Sequence, residues 1–234
     1  MSAPAPSRPV PIVVEVVEEI GCAQNILADD RWLAAGGPGI RVAVLADRAV
    51  SVGVGVPLGS EALDRIRADG VPVLRRSSGG TAVAHAPGDL AWSVVLPRSH
   101  PRVGTDFVRA YDRWGEGPVE FLSALGIEGR WAEPPGLTEQ YCLLSGRGQV
   151  LTVDGRVLGG AAQHATASAV LHHGILPLVV DGSKIARWFD LDPARTSGTL
   201  TSLDALGVRT APARLATELA TAISRTISTP PRTR

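Results

Sequence analysis

The stretch "GQVLTVDGRVLGGAAQ", residues 148 to 163, restricts the fold more than any other, because Asp154-Gly155 places two residues that tolerate positive φ between runs of β-branched and apolar residues. That is the chemistry of a two-residue type I′ turn, so the segment is expected to be an antiparallel hairpin. A lone hairpin buries too little apolar surface to persist in water, and the rest of the chain has to extend it into a sheet.

The extending strands read as apolar runs that end at breakers. "IRVAVLADRAVSVGVGV" (40 to 56) predicts two strands around Asp47 and Arg48, taken as a second hairpin; "VPVL" follows at 71 to 74, "LAWSVVLP" runs from 90 to Pro97, and "AVLHHGILPLVV" covers 169 to 180. Between them lie helical patterns. "AQNILADDRWLAA" (23 to 35) spaces Ile26, Leu27, Trp32 and Leu33 on a helix; "SEALDRIRADG" has Ser60 as N-cap, Leu63 and Ile66 on one face and Gly70 as a stop. A helix from about Thr105 carries Phe107, Ala110, Tyr111 and Trp114 up to an interruption at Gly117-Pro118, and Leu215, Leu219, Ile223 and Ile227 repeat every fourth residue near the end. Strand clusters punctuated by helices, without βαβ alternation, predict an α+β domain on a mixed or antiparallel sheet. One domain is expected over residues 10 to 228, with the Pro-rich or polar ends, 1 to 9 and 229 to 234, poorly ordered.

Composition narrows the partners. With 23 basic and 23 acidic residues the chain has no net field to draw it to nucleic acid or anionic membrane, and no long apolar run suggests a membrane span, so a cytoplasmic protein is expected. Two cysteines, Cys22 and Cys142, are too few for a disulfide framework and are expected to be reduced. Lys184 is the only lysine.

Three segments carry candidate chemistry. In "RRSSGGTAVAH" the glycines Gly79 and Gly80 let backbone approach a ligand, and Arg75 or Arg76 offers a charged fork for phosphate or carboxylate; a plain turn with solvated arginines is the alternative. The loop matches neither a P-loop nor a dinucleotide fingerprint. In "LGGAAQHATASAVLHHG" small residues leave a shallow floor for a long apolar ligand, and His172 and His173, adjacent in a strand, face opposite ways, which makes them a poor shared metal site. Hydrogen-bonded core histidines are the alternative there and at His85. Cys142, in "EQYCLLSGRG", is either a nucleophile or a buried inert thiol.

Together the blocks "RRSSGGTAVAHAPGDLAWSVV", "YCLLSGRGQVLTVDGRVLGGAAQ" and "LHHGILPL" resemble, in order and spacing, the lipoate–protein ligase and octanoyltransferase family, with weaker likeness in "AQNILADDRWL" and "TSLDALG". The resemblance implies a class II biotin/lipoate ligase-like catalytic domain: a central mixed, largely antiparallel sheet flanked by helices, with a pocket for a lipoyl or octanoyl group. It implies that Arg75, Arg76, Ser78, Gly79, Gly80, Thr81, Ala82 and Val83 line that pocket, with His85 and Asp89 near its rim. Gly160, Ala161 and Ala162 would lie along the other side, and His173 and Gly174 on the neighbouring strand. ATP and Mg²⁺ are implied only for a ligase; a transferase would hold the acyl group on Cys142. Partners implied are a lipoyl domain, an acyl carrier protein and, for one half of a two-part ligase, a separate accessory ligase subunit, since no room is expected for an accessory domain after residue 227.

Two positions depart from the family pattern. Its lysine after the hairpin turn, understood to polarise the acyl carbonyl, is Val157 here, and its third loop glycine is Thr81, which is expected to narrow the pocket. Cys142 precedes Val157 by fifteen residues, the cysteine-to-lysine separation of the cysteine-dependent branch. The expected activity is transfer of the acyl group to a lysine of a lipoyl domain; the alternative is a non-catalytic relative that keeps the pocket for binding.

Overall fold

The structure, a computed structural model, describes residues 11–103 and 114–229. Seven strands form the main sheet, in the order β1 (Val13–Ile20), β2 (Gly39–Leu45), β6 (Leu90–Pro97), β10 (Ala169–Leu176), β9 (Arg156–Ala165), β8 (Val150–Val153), β7 (Gly129–Ala132). Only β1 and β2 run parallel; every other pair is antiparallel, so the sheet is mixed and largely antiparallel as expected. The Asp154-Gly155 turn forms between β8 and β9 with φ of 49° and 75°.

The expected hairpin at 40 to 56 does not form. β2 enters the main sheet, while β3 (Ala49–Val52) crosses to a second, three-stranded sheet between β4 (Val73–Arg75) and β5 (Ala82–His85). Both strands are buried along their whole length, so each needs neighbours on both edges and cover on both faces, which a two-strand hairpin cannot supply. Strand β1, absent from the sequence reading, is mostly exposed on the sheet edge, and its run "VVEVVEEI" lacks the alternation that marks a half-buried strand.

Helices cover both faces of the main sheet. The last helix, α6 (Pro212–Ser228), lays Leu215, Leu219, Ile223 and Ile227 on one face beside α3 (Glu116–Ala124), in the cluster that holds Trp92, Trp114 and Phe121. Each fully buried aliphatic side chain there contributes about 1.5–3 kcal/mol relative to exposure. Pro118 lies in the first turn of α3, where its missing N–H has no helical acceptor to lose; the helix expected from Thr105 falls mostly outside the described residues. The same holds for the chain ends apart from Thr229, whose carbonyl accepts from Arg102.

The opposite face meets α1 (Cys22–Ala35) and the small sheet, which is backed by α2 (Ser60–Ala68). Helix α1 begins at Gly21, and the Asp47 carboxylate from the β2–β3 turn accepts the Cys22 backbone N–H at 2.7 Å. In α2 the cap position is Gly59 and Ser60 is the first helical residue, while Gly70 takes the positive φ expected of a stop. Helices α4 (Gly182–Phe189) and α5 (Pro193–Thr199) close the end nearest β9, with Asp181 and Asp192 capping their N-termini. No described helix is long and apolar enough to cross a membrane.

Candidate active site

Where α1, the small sheet and the main sheet meet there is a cavity with a predominantly apolar wall. Its floor comes from Gly160, Ala161 and Ala162 of β9 and Gly174 of β10, so the small-residue floor expected from the sequence is in place. Gly174 is fixed by close approach: a methyl group there would stand 2.5 Å from the Gly160 carbonyl oxygen and 2.6 Å from the Trp92 ring. Leu45, Val83, Ala91, Trp92 and Ile175 supply apolar wall from four strands.

Cys142 lines the same cavity from the 3₁₀ turn Cys142–Leu144 between β7 and β8. It faces Gly80, whose φ of +88° is a conformation that favours glycine. A methyl group at Gly80 would lie 3.2 Å from the Cys142 sulfur and 2.9 Å from Arg76 Nη2, so thiol and guanidinium flank one bare stretch of backbone.

Arg76 is buried, and its five N–H donors each have an acceptor in the protein. Nε donates to Ser78 Oγ at 3.1 Å, Nη1 to the carbonyl and hydroxyl oxygens of Ser51, both at 3.0 Å, and Nη2 to the carbonyls of Gly79 and Thr81, both at 2.9 Å. A guanidinium has five donors and no acceptor. The fork expected to grip a phosphate or carboxylate is therefore committed to holding its own loop in shape, and what it offers the cavity is fixed positive charge. Arg75 is exposed and away from the cavity wall.

A second polar chain crosses the cavity wall from α1 to this loop. Asp29 accepts from Arg41 at 3.3 Å and meets His173 Nδ1 at 2.8 Å; His173 Nε2 lies 2.7 Å from Ser78 Oγ. A carboxylate held by an arginine is an acceptor, so Nδ1–H donates to Asp29, while the Ser78 hydroxyl, which receives Arg76 Nε–H, shares the contact with Nε2. His173 faces the cavity, and its neighbour His172 is fully buried on the other face between Trp92 and Trp114, ring centroids 5.0 and 5.6 Å away. The opposite orientation of adjacent strand residues holds. Burial, with the nearby His173 second, pushes the His172 imidazole down to about 3.

His85 lines the cavity from β5, with Nε2 2.8 Å from Ser51 Oγ and Nδ1 buried without a hydrogen-bond partner among the described residues. Burial first, then the charge of Arg76, pushes it down to about 3, so the ring is neutral. Asp89 is buried outside the cavity wall, accepting the backbone N–H groups of Ala86 and Leu178 at 2.8 and 2.9 Å; it ties the β5–β6 turn to the end of β10. Burial raises its carboxyl to about 7.

Ser78, Gly79, Gly80, Thr81 and Ala82 are not among the residues that line the cavity. Thr81 has no positive φ and its side chain lies off the cavity, so the narrowing expected from this replacement is not seen. Val157 is buried in an apolar cluster with Tyr141, Leu143 and Leu200, also off the cavity. The β8–β9 register shifts at a bulge between Leu151 and Thr152; Val157 shares its cluster with Leu143, and a methyl group at Gly160 would stand 2.7 Å from the Leu143 side chain. Arg156 turns away and donates to the carbonyls of Ser197 and Leu200; Lys184 pairs with Asp181 on α4. Among the described residues, the lysine or arginine that lines the cavity is Arg76.

The sequence reading missed the contribution of α1: Cys22, Asn25, Ile26 and Asp29 all face the cavity. Their spacing of three, four and seven is one face of a helix. An apolar criterion passes over it because half the stripe is polar, and it favoured Leu27, which is 52% exposed. Cys22 is no second reactive thiol: burial and the Asp47 carboxylate push its pKa well up.

Known proteins share both sequence and fold with this chain. The lipoyl protein ligase A/B catalytic domain matches residues 31–220. An octanoyltransferase LipM from Exiguobacterium is 33% identical over 193 residues, 75% of this chain and 68% of the relative; one from Staphylococcus epidermidis is 30% identical over 51% of this chain and 46% of its own length. A crystal structure of lipoate-protein ligase A bound with ATP superposes with a TM-score of 0.71 at 22% identity, covering 92% of this chain and 85% of that one. A bi-partite lipoate protein ligase from Thermoplasma acidophilum, solved in work that includes its E2 lipoyl domain, gives 0.70 at 21% identity, covering 92% and 83%. At these identities the structures show the shared fold.

Proposed function

Since the chain belongs to the lipoyl protein ligase A/B catalytic-domain family, we propose that it is a cysteine-dependent acyltransferase of protein lipoylation, moving an octanoyl group, or a lipoyl group, to a lysine of a lipoyl domain. The observation that carries this reading is Cys142 in the wall of an apolar cavity, against Gly80 and beside the fixed charge of Arg76.

The acyl chain lies over the glycine-alanine floor with its carbonyl carbon at Cys142. The sulfur attacks the thioester of an acyl carrier, the carrier thiol leaves with the proton that Cys142 gives up, and an S-acyl cysteine remains. The neutral amine of the acceptor lysine then attacks the same carbon, an amide forms, and the amine proton returns to the departing sulfur. Positive charge beside the reacting centre favours both steps, because negative charge gathers on the carbonyl oxygen and on sulfur. Neither step needs ATP. A ligase route, with ATP and Mg²⁺, would ask the loop to hold phosphates, and every donor of Arg76 is already committed to the loop or to Ser51 of β3. The donor is assigned as an acyl carrier protein and the acceptor as a lipoyl domain; a separate accessory subunit belongs to the ligase route.

Intact-mass spectrometry after incubation with octanoyl-carrier protein tests the reading. The expected result is an octanoyl adduct that appears on the wild type, is absent from Cys142→Ala, and discharges on addition of a lipoyl domain. An adduct that needs lipoate and ATP instead would identify a ligase. No adduct under either condition would leave a protein that retains the cavity for binding, the outcome Val157 favours.

A further inference from the structure

The family lysine that would polarise the acyl carbonyl is replaced by Val157, which is buried among apolar side chains and off the cavity wall. The transfer still needs a hydrogen-bond donor for the carbonyl oxygen, and Arg76 has none to spare. We propose that His85 supplies it: its Nδ1–H, at the end of the chain Arg76–Ser51–His85 in the cavity wall, is the donor to the acyl carbonyl oxygen. This rests on the acyltransferase reading for its substrate.

The proton is placed by following the chain from its one fixed end. Arg76 can only donate, so Ser51 Oγ accepts from Nη1. The hydroxyl proton of Ser51 then has His85 Nε2 as its acceptor at 2.8 Å, which makes Nε2 the bare nitrogen and puts the ring proton on Nδ1. The reverse tautomer would leave the Ser51 hydroxyl proton without that acceptor. Nδ1 is the nitrogen that is buried with no partner among the described residues. The His85 side chain lines the cavity; a buried donor without a partner is costly unless a ligand group meets it, and a carbonyl oxygen is the acceptor that an acyl group brings.

The ring suits this work because it stays neutral. The charged or titratable groups facing it are Arg76 from the loop, His173 from β10 and Asp47 from the β2–β3 turn; burial and the first two oppose a positive charge on His85, and Asp47 alone favours one. A neutral imidazole donates without first giving up a proton, and the guanidinium at the head of the chain polarises both links toward the carbonyl. No proton changes owner at His85 during either transfer; the bond to the oxygen shortens as charge develops there and relaxes as the tetrahedral carbon collapses.

Two measurements test it, one of them independent of turnover. In long-range ¹H–¹⁵N spectra of the imidazoles, His85 is expected as the neutral Nδ1–H tautomer throughout about pH 5 to 8, and saturating octanamide, a non-reactive acyl carbonyl, is expected to shift that proton downfield. The Nε2–H tautomer, or no response to octanamide, overturns the proposal. In the kinetic arm, His85→Ala is expected to slow octanoylation of Cys142 by about a hundredfold to a thousandfold with the carrier KM little changed, and His85→Gln, which keeps an N–H, to recover part of the loss. Equal octanoylation rates for wild type and His85→Gln and His85→Ala also overturn it. A wild type that shows the octanamide shift yet never acylates Cys142 would sink the acyltransferase reading and leave the carbonyl donor standing.

Discussion

Replacing Arg76 with lysine separates the two things the guanidinium does, since it keeps the charge and removes at least two of five donors. Lysine has three N–H groups, so some of the oxygens of Ser51, Ser78, Gly79 and Thr81 lose a buried partner. Each buried acceptor left without a partner costs about 1–3 kcal/mol. Arg76→Lys is therefore expected to lower stability by at least about 2 kcal/mol, or a Tm drop of roughly 4–8 °C for a chain of this size, read by thermal unfolding. An unchanged Tm would mean that the loop does not depend on the fork. From the sequence the Arg-Ser-Gly-Gly block identifies the loop, but a charged side chain looks the same whether it serves a ligand or its own backbone. The difference is made by five acceptors, and two of them belong to Ser51, 25 residues away on a different strand.

Helix α6 and the cavity lie on opposite faces of the main sheet, and stability and chemistry can be separated at this scale. Leu219 is fully buried against the sheet and is not among the residues that line the cavity. Leu219→Ala is expected to cost about 2–5 kcal/mol, measured as a lower denaturant midpoint, while the folded protein still forms the Cys142 adduct at the wild-type rate. A slowed adduct in fully folded Leu219→Ala would show that the core of that face does set the site. The four-residue apolar repeat made α6 legible, and the Asp-Gly turn did the same for the β8–β9 hairpin. The pairing of β2 and β3 was not legible: two apolar runs joined by a short turn are locally a hairpin, and only burial on both edges of each strand separates them into two sheets.

Over the whole molecule the buried titratable groups set the pH response. His85 and His172 are each pushed down to about 3 when folded and return to about 6.5 on unfolding. Between those values the unfolded chain binds more protons, so the stability they contribute is intact above about pH 6.5 and is lost as pH falls toward 3. Asp89, raised to about 7, has the opposite sign: the folded chain keeps a proton that the unfolded chain releases above about pH 4, and that contribution is lost as pH rises through 7. Two histidines against one carboxyl, with His100, also held down by burial and Arg102, adding in the same direction, leave a net loss on acidification from about pH 6.5 to 4, with a slope of at least about 1.4 kcal/mol per pH unit. Urea midpoints across that range check it, and His172→Gln, which takes one histidine out of that balance, is expected to flatten the curve. A wild-type profile that is flat or rises on acidification would overturn the assignment.

By itself the sequence determined what is local or ordered along the chain: the Asp154-Gly155 turn, the α6 repeat, the α+β class, and the family blocks in their order. Those features depend on neighbours a few residues apart, where propensity and periodicity act directly. The tertiary structure decided which side chains meet. Asp29 and His173 are 144 positions apart and touch at 2.8 Å because α1 is laid across β2, β6 and β10 in the sheet order. The saturation of Arg76, the unmet Nδ1 of His85 and the withdrawal of Val157 from the cavity have the same origin. Each depends on which strands become neighbours and which face a bulge presents, and sheet order and register are settled by packing across the whole chain.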